Sequence, residues 1–496
     1  MRRAGRMLEA ALLFLVAAAL ALYAGQRAAE DWQVNWDGLS AVVHAQDIWH
    51  RAPEPRLTQI GFVQPPLPAL LASAVAIPRT RPDLIRFLPP LLGALYLGLT
   101  ALVFFKLVRG RGLSRPWAYL LTAALVLHPL LLSQAAGGAP AALRTLLILG
   151  MLWGLDEWAR SGSLRALLVA SLLLGAGLLT RYELVLWVGP IAVTIAVISA
   201  RAGGYSQAEG TVLAFLLPLA YLAAGWIAAC WFIQGDPWYF WRHTFANSPE
   251  LTSDGLARAA SDISLLACPF LTGALWYTLA SKRRARAGQF SIALLLGGPV
   301  LAAAGASVLG RLSGGPWSQL MAVSCLAMAG GYLLAARGLG DAMRGSGWDL
   351  HAVMSLVLAA VGMTAAVHFT QLGMGLPRGL TDTIRGKIAF TGDCHAEAAA
   401  AARLREELAP GERAVIAGWP GFAVAAFEGH LNRTILVPTP QPPGGDIPAV
   451  EVLLVREDQR GSAQDSWKQA LETRLEMLWR VGSWTCYRPV PTQQSP

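Results

Sequence analysis

Acid, hydroxyl and imidazole side chains recur at short intervals in the segment after the first apolar run. Asp37 lies between a tryptophan and a glycine, and Ser40, His44 and Asp47 follow at steps of four and three. These steps place the last three near one face of a helix. Carboxylates held in this way can serve general acid–base chemistry. Asp37, His44 and Asp47 are also a sparse set of possible ligands for a divalent cation. The non-catalytic alternative is a loop that only anchors the chain.

A rigid diproline follows this segment. Gln64 precedes an apolar run over 65–78 that begins with Pro65 and Pro66, and proline suits the first turn of a helix. The run is too short to cross a bilayer, which takes about 20 apolar residues. We therefore predict an interfacial helix here, and Trp32, Trp36 and Trp49 suit an aromatic belt at the membrane surface.

Membrane helices are the elements expected to position these side chains. Apolar residues make up 54% of the chain and charged residues 14%, whereas soluble domains carry about 25% charged residues. The net charge of +9 could suggest nucleic-acid binding. The basic residues, however, lie in short clusters between apolar runs, as membrane topology requires. The composition therefore favours a lipid bilayer as partner and excludes nucleic acid.

About eleven transmembrane helices are predicted from apolar length and loop charge. They are 8–25, 86–107, 116–133, 140–158, the two halves of 166–199, 210–232, 258–280, 289–309, 317–336 and 349–369. The run 166–199 is divided at residues 180–183 because charges inside a membrane are costly. Basic residues at the N-terminus place it in the cytoplasm. We predict that the first apolar run is a retained signal-anchor, with a signal peptide as the alternative. Counting 65–78 as a span would instead put the basic cluster at 282–286 outside.

Two domains are expected. A transmembrane domain covers 1–369, with 26–85 as its first outer loop, and a small extracytoplasmic α/β domain covers 370–496. In the second domain we predict helices at 396–409 and 467–482 and strands at 413–418, 433–438 and 450–455. Cys394 and Cys486 bracket this domain, and a disulfide between them is one prediction for an oxidising compartment. Two separate thiols are the alternative.

The order of these features resembles the GT-C glycosyltransferases, most closely the protein O-mannosyltransferase and lipid A aminoarabinose transferase branch. The resemblance rests on an acid soon after the first span, a PPL element, an arginine opening the second span and two further motifs. In this chain they are Asp37, Gln64-Pro65-Pro66-Leu67, Arg86, GLLTRYELVLWVGP at 177–190 and GDPWYF at 235–240.

The chain departs from the family pattern at two positions. Members commonly have a second acid where this chain has Gly38, and many have His or Lys where it has Gln64. These departures leave the branch, the acceptor and any metal requirement open. The resemblance covers about 1–370 in layout.

The resemblance implies transfer of a sugar from a polyprenyl-phosphate-linked donor to an acceptor hydroxyl at the outer membrane face. Asp37 would be the general base and the reaction would invert the sugar carbon. The acceptor would be a lipid, a glycan or a protein, and no cofactor is firmly implied. Donor phosphate would be bound by Arg86, Arg181, Arg242 and His243. Residues on the acceptor side, or supporting the site, would be His44, Asp47, Tyr182 and Glu183.

Two alternatives belong to other functional classes. A membrane transporter would show inverted repeats and charged segments at mid-membrane, and the sequence shows neither clearly. A non-catalytic envelope assembly protein would fit the missing second acid at Gly38. All three interpretations place the chain in the inner (plasma) membrane, with its C-terminal domain in the periplasm or outside the cell.

Overall fold

A computed structural model describes most of the first half of the chain and its C-terminal part. The described residues are 2–50, 60, 62, 64–76, 82–110, 114–127, 129–138, 140–246, 380–386, 391–409, 411–418, 421–429, 433–437, 451–456, 467, 469–471 and 474–490. They belong to two compact units. The first, called the helical unit, lies within Met1–Arg27, Phe62–Pro68 and Pro90–Ala389. The second, called the sheet unit, lies within Ala28–Gly61, Ala69–Pro89 and Phe390–Pro496.

Helices form most of the described structure. They are α1 Arg2–Glu30, α2 Trp36–His50, α3 Leu67–Ala76, α4 Leu88–Gly110, α5 Arg115–Val126, α6 Pro129–Ala136, α7 Pro140–Ser161, α8 Leu164–Leu178, α9 Val185–Gln234, α10 Tyr239–Ala246, α11 Leu380–Ile384, α12 His395–Glu407 and α13 Gly421–Glu428. Two 3₁₀ helices cover Pro82–Phe87 and Tyr182–Leu184. The strands are β1 Gln33–Asn35, β2 Thr391–Asp393, β3 Ala414–Ala417, β4 Thr434–Val437, β5 Val452–Arg456, β6 Arg474–Val481 and β7 Trp484–Val490.

Three described helical stretches are long and apolar enough to cross a membrane. They are Met7–Glu30, Leu84–Gly110 and Gly203–Gln234, and they coincide with the first, second and seventh predicted spans. Shorter apolar helices cover Leu164–Leu178 and Ile191–Ala200. The four predicted spans between 258 and 369 lie outside the described residues. The total of eleven therefore stays a prediction.

Two breaks interrupt the described helices, one inside a predicted span and one between two predicted spans. The predicted span 116–133 is divided into α5 and α6, and α6 begins at Pro129, which cannot donate the backbone hydrogen bond that a continuous helix needs. The long helix α9 is bent at Gly203 and Gly204, where Gly204 has a φ of +83°. Glycine adopts this left-handed conformation without steric cost. The bend separates the predicted sixth and seventh spans.

Close backbone packing joins α4 to α6 in the helical unit. A Cβ atom placed on Gly93 would lie 1.6 Å from the carbonyl oxygen of Ala135. A Cβ atom placed on Gly25 of α1 would likewise clash with the carbonyl oxygen of Ala136. Small residues allow helix backbones to approach in this way. The glycines are therefore required by the packing of three helices.

A five-stranded mixed sheet forms the centre of the sheet unit. Its order is β4-β3-β5-β7-β6, with β3 parallel to β4 and β5, and β7 antiparallel to β5 and β6. Strands occur at all three predicted places, and α12 covers the predicted helix 396–409. Every residue of β3 is buried, because alternate side chains enter a separate apolar cluster on each face of the sheet.

Part of the first outer loop is built into this unit. β1 pairs antiparallel with β2, with Gln33 opposite Asp393. Val34, Leu39 and Val43 are buried in the same apolar cluster as α12, α13 and one face of β3. The sequence predicted this loop as part of the transmembrane domain. In the structure Val34, Leu39 and Val43 of the loop share a core with the C-terminal strands, whereas its segment Phe62–Pro68 belongs to the helical unit. The predicted domain boundaries stay a prediction.

The predicted second helix of the C-terminal domain is wrong over most of its length. Among the described residues of the segment 467–482, helix is found at 467 and 469–471, whereas β6 occupies Arg474–Val481. This strand turns at Gly482, which has a φ of +59°, and pairs with β7 from Arg474 to Val481. Pairing with a neighbouring strand outweighs the helix-forming composition of the segment.

The predicted disulfide is not formed in this structure. Cys394 and Cys486 are both buried thiols and both belong to the apolar cluster of the sheet unit. Burial raises the pKa of the Cys486 thiol to about 12, since a low-dielectric surrounding disfavours the thiolate. Cys486 therefore packs as a small neutral side chain.

Candidate functional site

Asp37 occupies the first turn of α2. The helix covers Trp36–His50, which confirms the helix predicted from Gly38 onward. Asn35 provides a cap, because its Oδ1 accepts a hydrogen bond from the backbone N–H of Gly38 at 3.0 Å. A carboxylate in the first turn is favoured by the positive end of the helix dipole. Asp37 is half-buried, so the residue is partly accessible to solvent.

The other predicted side chains of α2 differ in depth. His44 is half-buried and lies two turns after Asp37, whereas Ser40 and Asp47 are buried, at 3% and 4% exposure. The buried position of Asp47 suits a supporting role better than contact with a substrate. Among the described residues, no three His, Cys, Asp or Glu side chains group as a metal site. Asp37, His44 and Asp47 therefore do not form the cation cluster that their spacing left open.

Arg86 lies in the same unit as Asp37. It belongs to the 3₁₀ helix Pro82–Phe87, which contacts both α2 and α13. Its guanidinium carbon lies 3.9 Å from the ring centre of Trp32 and 4.9 Å from that of Phe87. Cation–π contacts of this kind orient a guanidinium group without neutralising its charge. Arg86 is thus a half-buried, oriented cation in the unit that carries the candidate base.

Trp32 has a role in this unit that the sequence did not reveal. Its φ is +53°, the one positive value among the described residues other than glycine. The backbone is held there by hydrogen bonds from Trp32 N to Ala29 O, at 3.1 Å, and from Cys394 N to Trp32 O, at 3.0 Å. Its ring contacts Phe427 edge-on at 5.4 Å. The sequence predicted Trp32 for a membrane belt, whereas the structure packs it against α13.

The other two tryptophans of the predicted belt also contact protein. Trp36 meets the Phe422 ring edge-on at 5.9 Å. Trp49 donates from Nε1 to the backbone oxygen of Ser73 at 3.0 Å. The second contact joins α2 to α3, the short helix predicted to lie at the membrane surface. The described part of this helix is 10 residues long, shorter than the about 20 residues that a membrane span takes, and its place at the membrane surface stays a prediction.

In the helical unit the diproline element meets the turn after α8. The backbone N–H of Leu67 donates to the carbonyl oxygen of Leu179 at 2.9 Å. Leu179 immediately precedes the TRYE segment, whose Thr180 and Arg181 N–H groups both donate to Gly177 O. Two motifs more than a hundred residues apart in sequence are therefore adjacent.

Aromatic contacts bring a third motif to this place. The Trp226 Nε1–H donates to the Tyr182 hydroxyl at 3.2 Å, and the Tyr182 ring lies 4.9 Å from the Phe240 ring. Phe62 stacks on Trp226 at 5.4 Å. Phe240 belongs to the GDPWYF segment and Phe62 closely precedes the diproline. Trp226 joins them, and its place within an apolar helix gave no sequence signal for this role.

The remaining predicted site residues of the helical unit differ in exposure and contacts. Arg242 is exposed and pairs with Asp236 at 3.3 Å. Pro66 is buried, while Gln64, Pro65 and Arg181 are half-buried. His243 and Glu183 lie in α10 and in the 3₁₀ helix at Tyr182–Leu184. The side chains of these two residues are outside the described part of the structure.

The predicted site residues thus fall into two sets. The sheet unit holds Asp37, His44, Asp47 and Arg86. The helical unit holds Gln64, Pro65, Pro66, Arg181, Tyr182, Glu183, Arg242 and His243. The set predicted to bind phosphate is therefore divided between the units, with only Arg86 in the unit of Asp37.

Comparison with known proteins identifies solved structures that have a similar fold. No protein-family model and no curated protein sequence matches the chain. Among solved structures, ArnT from Cupriavidus metallidurans in the apo state aligns over 100% of both chains, with a TM-score of 0.58 and 12% identity. ArnT bound to undecaprenyl phosphate aligns over 98% of this chain and 99% of its own, with a TM-score of 0.56 and 12% identity.

A third solved structure is less similar. The oligosaccharyltransferase of Archaeoglobus fulgidus in the apo form aligns over 87% of this chain and 64% of its own, at TM-score 0.47 and 12% identity. The shared fold is established by the two ArnT structures. Both alignments span nearly the whole chain, so the likeness to ArnT is a likeness of the complete fold.

Proposed function

We propose that this protein is a membrane glycosyltransferase that uses a polyprenyl-phosphate-linked sugar. The observation that carries the proposal is the full-length likeness to ArnT, one structure of which holds undecaprenyl phosphate. The order of Asp37, the PPL element, Arg86 and the TRYE segment supports it independently of the fold. The acceptor is a hydroxyl group of a lipid, a glycan or a protein.

In the proposed reaction Asp37 is the general base. Its carboxylate takes the proton of the acceptor hydroxyl while that oxygen bonds to the anomeric carbon of the sugar. The bond between this carbon and the phosphate oxygen breaks, and the lipid phosphate leaves with the electron pair. The carboxylate also stabilises the positive charge that develops on the sugar ring. A single displacement of this kind inverts the anomeric carbon.

Charge on the departing phosphate requires a cation or hydrogen-bond donors. Arg86 is the proposed ligand, since it lies in the unit of Asp37 and its guanidinium is oriented by Trp32. Arg181, Arg242 and His243 stay predictions for further phosphate contacts. His44 and Tyr182 stay predictions for the acceptor side, with Asp47 and Glu183 in support.

The proposed setting is the inner membrane with eleven spans. The N-terminus lies in the cytoplasm and the sheet unit in the periplasm or outside the cell. Loop charge supports this orientation, because Lys and Arg concentrate in cytoplasmic loops. A cysteine-labelling scan across intact cells would test it, and labelling of the sheet unit from the cytoplasmic side alone would contradict it.

Transfer of radiolabel from membrane polyprenyl-phosphate sugars tests the function. Purified wild type, Asp37→Asn and the control Asp31→Asn would be offered each donor with an envelope extract as acceptor. Asp31 is an exposed acid six residues before Asp37. We expect Asp37→Asn to lose transfer by about 10²- to 10⁴-fold, while Asp31→Asn stays near wild type.

The outcomes separate the functional classes. Label moved by wild type and by Asp31→Asn, but lost in a folded Asp37→Asn, supports the transferase and names its sugar. A folded wild type that moves no label from any donor would overturn the proposal. Uptake or efflux that depends on the protein and survives Asp37→Asn would favour the transporter.

A further inference from the structure

A pocket of about 440 Å³ lies beside α12 in the sheet unit. Its volume is within the range of about 300–1,000 Å³ that is typical of small-molecule sites. Trp32 and Phe427 line it together with His395, Arg405 and three alanines of α12. Asp37 and Arg86 are not among the lining residues, although the guanidinium of Arg86 contacts the ring of Trp32.

The aromatic side chains give this pocket an amphipathic wall. The Trp32 and Phe427 rings meet edge-on, with an angle of 89° between their planes, and His395 lies 6.2 Å from Trp32. A sugar ring has apolar C–H faces and polar edges, so it packs on aromatic faces while its hydroxyl groups stay hydrated. The three alanines that line the pocket have short side chains and leave the space open.

The backbone at Trp32 is fixed in a costly conformation. A positive φ is unfavourable for a bulky residue and persists only where the surroundings impose it. Here one hydrogen bond to Ala29 O and one from Cys394 N hold Trp32 in place. The ring is therefore pre-positioned at the pocket before any ligand binds, which lowers the entropy cost of binding.

Arg405 supplies a fixed positive charge. Its Nε donates to Glu428 O at 3.0 Å, and its Nη2 donates to Phe427 O. These bonds hold the guanidinium at the end of α13, while the side chain stays exposed. Within the described part of the chain, Arg405 has no carboxylate partner and no acidic side chain lines the pocket. The charge there is complementary to an anion, which arginine binds through its planar donors.

We infer that this pocket binds an acidic saccharide of one or two rings, with the sugar against Trp32 and Phe427 and its acid group at Arg405. The inference does not depend on the proposed transfer, since binding is measured without donor or turnover. Arg405 also satisfies the carbonyl groups at the end of α13. A test therefore has to separate ligand binding from this structural contact.

Calorimetric titration of the full chain in lipid nanodiscs provides that test. The probes are digalacturonate and the neutral disaccharide maltose. The variants are Arg405→Gln, the matched control Arg403→Gln on the exposed side of α12, and Ala402→Phe. The phenylalanine fills the pocket and leaves the contacts of Arg405 with α13 in place. Thermal unfolding of each variant reports its folding.

We expect wild type and Arg403→Gln to bind digalacturonate, more weakly at high salt, and to bind maltose far less. Arg405→Gln should weaken binding by about tenfold to a hundredfold, and Ala402→Phe should abolish it without changing the thermal midpoint. Equal affinity for both disaccharides, no binding to either, or undiminished binding by a folded Ala402→Phe would overturn the inference. A wild type that transfers sugar but binds neither probe would refute this pocket and leave the transferase standing.

Discussion

The two units hold their candidate residues by different means. In the sheet unit Asp37 lies on a helix whose Leu39 and Val43 enter a core shared with α13 and β3. In the helical unit Tyr182 lies on a 3₁₀ turn held by a backbone hydrogen bond at Leu179 and by aromatic contacts. Long helices of that unit expose large apolar side chains, such as Phe232 at 82%.

This difference follows from the surroundings expected for each unit. In water, burial of apolar surface fixes the position of a helix. Between helices in a bilayer that driving force is largely absent, so close packing of small residues and polar contacts replace it. Substitutions should therefore act through lost burial in the sheet unit, and through steric and hydrogen-bond changes in the helical unit.

The largest effect is expected for Leu39→Ala. Leu39, on the outer-loop helix α2, is fully buried in the core of the sheet unit, and such truncations cost about 2–5 kcal/mol. Because α2 shares its core with β3, hydrogen exchange should accelerate in β3 and β5 as well as in α2. Leu84→Ala, at a half-exposed position of the same unit, is the control. Faster exchange confined to α2 would contradict a shared core.

A steric change should act next in the helical unit. In Gly93→Ala the new methyl group would meet the Ala135 carbonyl oxygen of another helix, and overpacking of this kind costs about 1–3 kcal/mol. Gly225→Ala is the matched control, since a Cβ there meets nothing within 4 Å, and it should change stability by less than about 1 kcal/mol. Equal thermal midpoints for the two variants would show that α4 and α6 are not in close contact.

The local sequence pattern predicted the helices and turns that carry the candidate residues of both units. The helix that carries Asp37 followed from spacing, and the break after α8 followed from charges inside an apolar run. Strands β3, β4 and β5 followed from short runs of branched apolar residues. Each of these signals lies within about ten residues of the feature it predicts.

Contacts distant in sequence could not be predicted in this way. The pairing of Gln33 with Asp393 and the hydrogen bond from Leu67 to Leu179 do not follow from any periodic pattern in the sequence. The same reason explains the error at β6, since its partner β7, and not its own composition, decides its conformation. The spacing of residues along the chain likewise could not predict that the proposed phosphate-binding residues lie in two different units.

A smaller effect is expected for Tyr182→Phe. The substitution removes the hydroxyl that accepts from Trp226 and keeps the ring beside Phe240, so the loss in stability should be about 0.5–1.5 kcal/mol. A double-mutant cycle with Trp226→Phe isolates the hydrogen bond, because both single variants remove the same interaction. Additive effects of the two substitutions would show that the contact carries no coupling energy.

The smallest effect on stability is expected for Arg242→Gln. The pair with Asp236 is largely exposed, and exposed pairs contribute about 0–1 kcal/mol, less at high salt.

Donor kinetics then decide between two roles for Arg242. Asp236→Asn breaks the ion pair but retains an oxygen for the Trp238 N–H. If Arg242 binds donor phosphate, Arg242→Gln alone should raise the KM for the donor several-fold, because only that variant removes the cation. If the arginine serves only the ion pair, both variants should change KM equally, and the phosphate role of the helical unit would then rest on Arg181 and His243.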